Sequence, residues 1–159
     1  MKIFLMRHAP ASYGPPDPDR PLTREGRQLA ARMAAFMRER PFLAIDAVWS
    51  SPYLRARQTA EPMLCLPPGP AAAAHLTDAL LPGADPERIL REIRGCAGAL
   101  LLVGHNPHLG RLARRLLGMG EAAPHLPFKK GALMAFEGDP GSRGEWRLLA
   151  YLTPKSLGW

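Results

Sequence analysis

The chain has few cysteines and no long apolar segment. Its two cysteines, Cys65 and Cys96, form neither a CxxC pair nor a Cys/His pair at zinc spacing, which excludes a disulfide framework and a structural zinc site. The longest apolar runs, such as Ala99–Val103, are far shorter than the about 18 residues of a membrane span. The first apolar run ends at Arg7 and His8, too early for a signal peptide. We therefore expect a cytoplasmic protein without a membrane partner.

Acidic residues and aromatic rings are also scarce. The 159 residues include 21 Lys or Arg against 14 Asp or Glu, which gives a formal net charge of +7, and 17 of the basic residues are arginine. Arginine binds phosphate and carboxylate groups through two parallel hydrogen bonds, so the composition favours a phosphate-bearing or acidic partner. Aromatic residues make up only 7% of the chain and carry no nucleic-acid-binding signature, so we expect no nucleic-acid partner.

The hydrophobic pattern predicts an α/β fold. The hydrophobic fraction of 47% excludes a disordered chain, and the length fits one globular domain. The predicted strands are Lys2–Met6, Ala44–Trp49, Ala71–Leu76, Ala99–Val103, Gly131–Phe136 and Trp146–Leu152. Four helices are predicted: one follows the cap Thr23, one runs from Ser51-Pro52 to about Cys65, one covers Pro86–Arg94, and one opens at Asn106-Pro107. This alternation predicts a three-layer sandwich with a mostly parallel central sheet and helices on both faces.

Unusual polar residues follow three of the predicted strands. Arg7-His8 follows the first strand, Ser50–Arg55 the second and Gly104–Pro107 the fourth. In open α/β sheets, ligands bind beyond the carboxyl ends of the strands, so two imidazoles and two guanidiniums are expected to meet there. The helix start at Asn106 adds backbone N–H groups that attract anions. Because like charges repel, the cluster indicates a pocket for a phosphoryl group.

Each of these residues alone has a simpler explanation. A single histidine after a strand is usually structural, and a single arginine is typical of a solvated helix surface. His108, three residues after His105, suggests a metal-binding pair, but no third ligand stands nearby and we predict no metal. His75 and His125 have no supporting context. The joint occurrence at three strand ends is what favours an anion site.

Four motifs resemble the histidine phosphatase superfamily. In chain order they are Met6-Arg7-His8-Ala9, Arg20-Pro21-Leu22-Thr23 followed by Gly26, Ser51-Pro52-Tyr53-Leu54-Arg55-Ala56-Arg57-Gln58-Thr59, and Gly104-His105-Asn106-Pro107. The chain most closely resembles the small SixA branch, the bacterial phosphohistidine phosphatases. The resemblance implies a phosphoglycerate-mutase-like fold and a single histidine phosphatase domain over residues 1–159, without a large lid insertion.

The resemblance also implies roles for the clustered residues. His8 is the expected nucleophile, which attacks phosphorus as a neutral imidazole and becomes phosphorylated. A protonated His105 and the arginines are expected to offset the charge that develops on the phosphoryl oxygens. Because these cations replace a magnesium ion, we expect no metal and no cofactor. The expected substrate-binding residues are Arg7, Arg55, His105, Asn106 and Arg20.

Two features differ from the family pattern. Ala9 stands where the superfamily usually has glycine, which removes glycine's conformational freedom at that position. Larger relatives carry a carboxylate general acid ahead of the strand that leads to His105. The candidate here is Asp78, with Asp85 as a second choice, and either one is also consistent with an ordinary loop or helix-proximal acid.

The predicted function is that of a metal-independent phosphohydrolase acting on phosphohistidine of a protein through a phospho-His8 intermediate. Only 49 residues separate Arg55 from His105, which leaves little chain for a lid. The expected partner is a phosphorylated protein such as a histidine phosphotransfer domain, in signal transduction, and a monomer is favoured. The alternative within the fold is a phosphomonoesterase or mutase for a small metabolite. The alternative from another class is a non-catalytic basic binding module.

Overall fold

A computed structural model describes residues 1–14, 16–66, 73–120, 126–141 and 146–159. The strands are β1 (Lys2–Arg7), β2 (Ala47–Ser50), β3 (His75–Leu76), β4 (Ala99–Gly104), β5 (Leu133–Glu137) and β6 (Arg147–Leu152). The helices are α1 (Arg24–Arg38), α2 (Leu54–Ala60), α3 (Pro86–Glu92) and α4 (His108–Leu116). Of the described helices, none is long and apolar enough to cross a membrane.

The six strands form one mixed sheet in the order β3-β2-β4-β1-β5-β6. Strands β3, β2, β4 and β1 run parallel to one another, whereas β5 runs antiparallel to both β1 and β6. Parallel strands are usually buried on both faces, and all six residues of β4 are buried. The predicted α/β class with a mostly parallel central sheet is confirmed.

Alternate residues of β1 face two separate helical layers. Ile3 and Leu5 belong to a core cluster that includes buried residues of α3 and α4. Phe4 and Met6 belong to a second cluster that includes buried residues of α1 and α2. All four side chains are fully buried, which gives each face of the sheet its own apolar core. The three-layer arrangement with helices on both faces is confirmed.

Helix α1 is held close to the segment that follows β1. Thr23 caps the helix by accepting a hydrogen bond from the Gly26 N–H at 3.0 Å, and its own backbone N–H donates to the Pro10 carbonyl at 3.0 Å. A Cβ at Gly26 would lie 2.0 Å from that carbonyl oxygen, so only glycine fits this position. The motif residues Thr23 and Gly26 therefore fix the chain just beyond His8.

The predicted start of α2 is wrong, as the helix begins at Leu54 and not at Ser51-Pro52. Ser51 continues the line of β2, because its N–H donates to the Val103 carbonyl at 3.0 Å. After Ala60 the chain tightens into a 3-10 helix, Glu61–Cys65. The sequence therefore predicted the extent of this segment but not its first turn.

Other boundaries moved by a few residues. Strand β2 begins at Ala47, because a 3-10 turn at Pro41–Leu43 comes before it. The third predicted strand is reduced to His75–Leu76, and its positions 71 and 72 lie outside the described residues. Helix α3 ends at Glu92 and helix α4 begins at His108. None of these shifts moves a predicted strand out of the sheet.

Candidate active site

The ends of three parallel strands bring the predicted site residues together. Arg7 pairs in register with Gly104, the last residues of β1 and β4. The His8 N–H donates to the Gly104 carbonyl at 3.0 Å, and the His8 and His105 ring centroids are 5.1 Å apart. Ser51 follows β2 on the other side of β4. Both imidazoles therefore lie beyond the carboxyl edge of the sheet, as predicted.

The His8 imidazole has a defined proton position. Its Nδ1 lies 2.8 Å from the Ala9 carbonyl oxygen. A carbonyl oxygen only accepts hydrogen bonds, so Nδ1 carries the proton and Nε2 carries the free lone pair. Burial, with the nearby charges of Arg55 and Arg7, lowers the pKa of His8 to about 4 despite the opposing effect of the hydrogen bond to Ala9. The ring is therefore neutral at pH 7, as a nucleophile must be.

Ala9 fits without the freedom of glycine. Its side chain is fully buried, and among the described residues none other than glycine has a positive φ. The Ala9 N–H donates to the Thr59 hydroxyl at 3.0 Å, and that hydroxyl donates to the Arg55 carbonyl at 2.7 Å. Alanine in place of the family's usual glycine therefore causes no backbone strain here.

His105 is buried between Ser51 and Tyr53. Its Nε2 lies 2.9 Å from the Ser51 hydroxyl, which also accepts a hydrogen bond from the Tyr53 N–H at 3.3 Å. The buried Nδ1 has no partner among the described residues. Burial, with the nearby His8 and Arg55, lowers the pKa of His105 to about 3. Desolvation thus favours the neutral ring, and protonation of His105 beside a bound phosphoryl group stays a prediction.

Arg7 and Asn106 share one backbone acceptor. Arg7 Nη1 donates to the Phe128 carbonyl at 2.7 Å, and Asn106 Nδ2 donates to the same oxygen at 3.1 Å. Arg7 Nε and Asn106 Oδ1 are buried without partners in the described part of the chain. An unpaired buried polar group costs about 1–3 kcal/mol, so such atoms mark a place for a ligand. Arg7 Nε suits an anion, whereas an amide oxygen does not, and the role of Asn106 in binding stays a prediction.

Arg55 is held by an acid that the sequence gave no reason to single out. Arg55 Nη1 donates to the Asp17 carbonyl at 2.7 Å, and Nη2 lies 3.1 Å from Asp17 Oδ2. Arg20 Nη1 lies 2.8 Å from Asp17 Oδ1, which brings the predicted substrate-binding Arg20 to the same place. The available signal was an acid three residues before Arg20 in the proline-rich segment after Tyr13.

Comparisons with known proteins identify the family to which this fold and this cluster belong. The sequence profile of the histidine phosphatase superfamily (branch 1) matches residues 3–72. An uncharacterized protein of Picosynechococcus sp. is 31% identical over 142 residues, which cover 84% of this chain and 83% of that protein. The chain belongs to the histidine phosphatase superfamily, branch 1.

Solved structures of histidine phosphatases share the fold. The protein histidine phosphatase SixA complexed with tungstate has a TM-score of 0.85 and 26% identity, over 99% of each chain. The putative phosphohistidine phosphatase SixA from Agrobacterium tumefaciens has a TM-score of 0.77 and 27% identity, over 96% of this chain and 97% of that one. The predicted phosphoglycerate-mutase-like fold of the histidine phosphatase superfamily is confirmed.

Neither candidate acid of this histidine phosphatase contacts the cluster. Asp78 lies on a 3-10 turn, Asp78–Leu80, with an exposed side chain that has no hydrogen-bond or ion-pair partner in the described residues. Asp85 caps α3, because its Oδ1 accepts a hydrogen bond from the Glu87 N–H at 3.0 Å. Asp85 thus has a structural task, and a proton-transfer role for Asp78 stays a prediction.

The remaining histidines lie outside the cluster. His108 is fully buried at the start of α4, and both of its ring nitrogens lack partners within the described ranges. His75 on β3 packs against Trp49, with ring centroids 4.2 Å apart. His125 lies outside the described residues. No group of three or more His, Cys, Asp or Glu residues in the described ranges is arranged to hold a metal ion.

Proposed function

We propose that the protein is a metal-independent phosphohydrolase that removes phosphate from phosphohistidine of a protein through a phospho-His8 intermediate. The observation that carries the proposal is the His8 imidazole, whose Nδ1 lies 2.8 Å from the Ala9 carbonyl and whose Nε2 is left as a free base. This ring lies beside the unpartnered donor atoms of Arg7 and His105. A neutral nucleophile next to unsatisfied cationic and N–H donors is suited to phosphoryl transfer.

In the first step, His8 Nε2 attacks phosphorus in line with the leaving imidazole. The new N–P bond forms as the old N–P bond breaks, and the electron pair of the broken bond returns to the leaving ring. The substrate ring carries a proton on its other nitrogen, so it departs as neutral imidazole. The proton on His8 Nδ1 stays in place, hydrogen-bonded to the Ala9 carbonyl oxygen. In the second step, water attacks phosphorus, the His8 N–P bond breaks, and inorganic phosphate leaves with His8 regenerated.

The surrounding donors stabilise the charge on the phosphoryl oxygens. Ser51 accepts a hydrogen bond from Tyr53 and so has its own proton available for His105 Nε2. With Nε2 accepting, the single N–H proton of the neutral His105 ring is on Nδ1, the atom without a partner in the described residues, and it is available for a phosphoryl oxygen. Arg7 Nε and the Arg55 guanidinium provide the cationic donors. A bound dianion would also raise the pKa of His105 from its low value.

Leaving-group chemistry supports phosphohistidine as the substrate class. Imidazole has a pKa of about 6.5, so it departs far more readily than an alkoxide and depends less on a general acid. The exposed Asp78 carboxylate is consistent with weak acid catalysis. Within residues 54–66 and 73–104, the chain forms short helices, turns and strands, which supports a site without a large lid.

The rim of the cluster supports a protein partner. Tyr13 is 89% exposed, and its ring lies 5.4 Å from the Arg20 guanidinium carbon and 6.0 Å from the Lys130 ammonium. An exposed aromatic ring beside the Lys130 ammonium suits an acidic protein surface, such as that of a histidine phosphotransfer domain carrying phosphohistidine. The site would then act on a side chain presented by a folded partner.

A side-by-side comparison of substrates tests the proposal. We expect kcat/KM for a phosphohistidine-bearing protein to exceed that for phosphoserine peptides, sugar phosphates and phosphoglycerate by more than about tenfold. Chelators should leave this activity unchanged. A sugar phosphate or phosphoglycerate that wins by the same margin would favour the small-metabolite alternative. Loss of activity with EDTA and recovery with zinc or manganese would contradict a metal-independent reaction.

A further inference from the structure

Asp17 occupies the terminal nitrogens of Arg55, the arginine that is expected to bind the phosphoryl group. Both terminal nitrogens of Arg55 are engaged, one by the Asp17 carbonyl at 2.7 Å and one by its carboxylate at 3.1 Å. The Arg55 side chain is only 6% exposed, whereas that of Asp17 is 51% exposed. A buried, fixed guanidinium thus faces a carboxylate that borders solvent. A phosphoryl oxygen that binds a terminal nitrogen of Arg55 must therefore compete with Asp17.

Arg20, which lies in the same loop as Asp17, also pairs with the Asp17 carboxylate. Arg20 Nη1 lies 2.8 Å from Asp17 Oδ1, and Arg20 Nε donates to the Ser12 carbonyl at 2.7 Å. Desolvation raises the pKa of Asp17, but the hydrogen bonds from Arg20 and Arg55 outweigh this and hold it below its ordinary value. The carboxylate is therefore charged at neutral pH. It partly neutralises the two cations that would otherwise attract a second acidic group on a substrate.

We propose that Asp17 is a specificity-determining counter-charge that competes with bound anions for Arg55 and Arg20. The proposal rests on the proposed function, because it assumes that Arg55 binds the phosphoryl group. Asp17 would weaken the retention of inorganic phosphate, the product, and would repel phosphorylated metabolites that carry a carboxylate. Phosphohistidine escapes this penalty, because its leaving group is a neutral imidazole. The carboxylate thus selects for phosphate on an uncharged leaving group.

A purely structural role makes the opposite prediction. If Asp17 only anchors Arg55, its loss would disorder the guanidinium and weaken phosphate binding. If Asp17 is a counter-charge, its neutralisation would strengthen phosphate binding, because the amide of asparagine still accepts a hydrogen bond while the negative charge is gone. The sign of the change therefore separates the two roles.

Titration calorimetry with inorganic phosphate measures this sign without turnover. Asp17→Asn should bind phosphate about twofold to fivefold more tightly than the wild type, the range expected for one partly exposed charge. The matched control is Asp19→Asn, which removes a charge from the same 3-10 turn, Asp17–Asp19, at an exposed side chain with no ion pair in the described residues. The control should bind phosphate like the wild type. Asp17→Ser serves as a second variant if the asparagine form is unstable.

Activity provides a second readout. In Asp17→Asn, kcat/KM for 3-phosphoglycerate should rise relative to that for p-nitrophenyl phosphate, whose leaving group carries no carboxylate. Phosphate binding that is unchanged or weaker in Asp17→Asn would overturn the counter-charge while leaving the phosphatase proposal intact. A wild-type protein that binds no phosphate at millimolar concentration would overturn both.

Discussion

Two halves of the site are held in different ways. The strand-end half consists of Arg7, His8, Ser51 and His105, and the loop half consists of Asp17, Arg20 and Asp78. Backbone hydrogen bonds to β4 fix His8 and Ser51, whose N–H groups donate at 3.0 Å to Gly104 and Val103. The loop residues depend on side-chain ion pairs or, for Asp78, have no partner in the described chain. The sheet thus fixes His8 and the donors beside it, whereas ion pairs hold the loop groups that would tune access to Arg55.

Removing donors should have the largest effect in the strand-end half. Arg7→Ala and His105→Ala should each lower kcat/KM for a phosphohistidine protein by about 10²–10³, because each removes a preorganised donor from the developing charge. Arg20→Ala, in the loop half, should lower it by less than about tenfold. Steady-state kinetics on the three variants checks this ranking. Equal losses in both halves would remove the distinction between them.

The pH dependence of the free energy of unfolding should reveal the burial of three imidazoles. The pKa of each of His8, His105 and His108 is lowered, to about 4, 3 and 4, primarily by burial. The unfolded chain then binds more protons between these values and about 6.5, so the free energy of unfolding should fall as pH decreases through that window. Each fully desolvated group contributes up to about 1.4 kcal/mol per pH unit.

Urea unfolding at several pH values measures this slope. His108 has no hydrogen bond to the proposed catalytic residues in the described chain, so His108→Phe serves as a variant that removes one of the three groups. Its slope should be shallower than that of the wild type, whatever its overall stability. A pH-independent free energy of unfolding between pH 4 and 6.5 would show that these rings are not desolvated in the folded protein.

The smallest effect is expected at the loop acid Asp78. Asp78→Asn should lower kcat/KM for phosphohistidine by less than about threefold, because the imidazole leaving group needs little protonation, and should lower phosphoester cleavage more. Asp19→Asn is the control, since it makes the same change at an exposed side chain with no ion pair in the described residues and should leave kcat/KM for both substrates unchanged. A tenfold or larger loss on phosphohistidine in Asp78→Asn would place this acid in the chemistry.

The sequence predicted the strand-end half because its signals are local. Apolar runs mark β1 and β4, and the polar residues follow them directly, so parallel pairing alone brings Arg7-His8 and Gly104-His105 together. The start of α2 was missed for a related reason. Ser51 has the form of a helix cap, but its hydroxyl bonds to His105, 54 positions away, and to the Tyr53 N–H. A tertiary contact thus overrides the local signal.

Within the loop half, the role of Asp17 could not be predicted, because its contacts have no periodic pattern. Asp17 meets Arg55 across 38 positions, and the segment around Asp17 has the composition of a linker. Residue types at the site were therefore predictable, whereas the pairing of Asp17 with Arg55 was not.

The site of phosphorylation on His8 tests the central claim most directly. A quenched reaction of wild-type protein with a phosphohistidine substrate, analysed by phosphorus and proton NMR, shows which ring nitrogen carries phosphate. The hydrogen bond from Nδ1 to the Ala9 carbonyl predicts phosphate on Nε2, in an acid-labile and base-stable linkage. His8→Ala should lose this label and all turnover while its circular dichroism stays unchanged. Phosphate on Nδ1, or a label that persists in His8→Ala, would contradict the account.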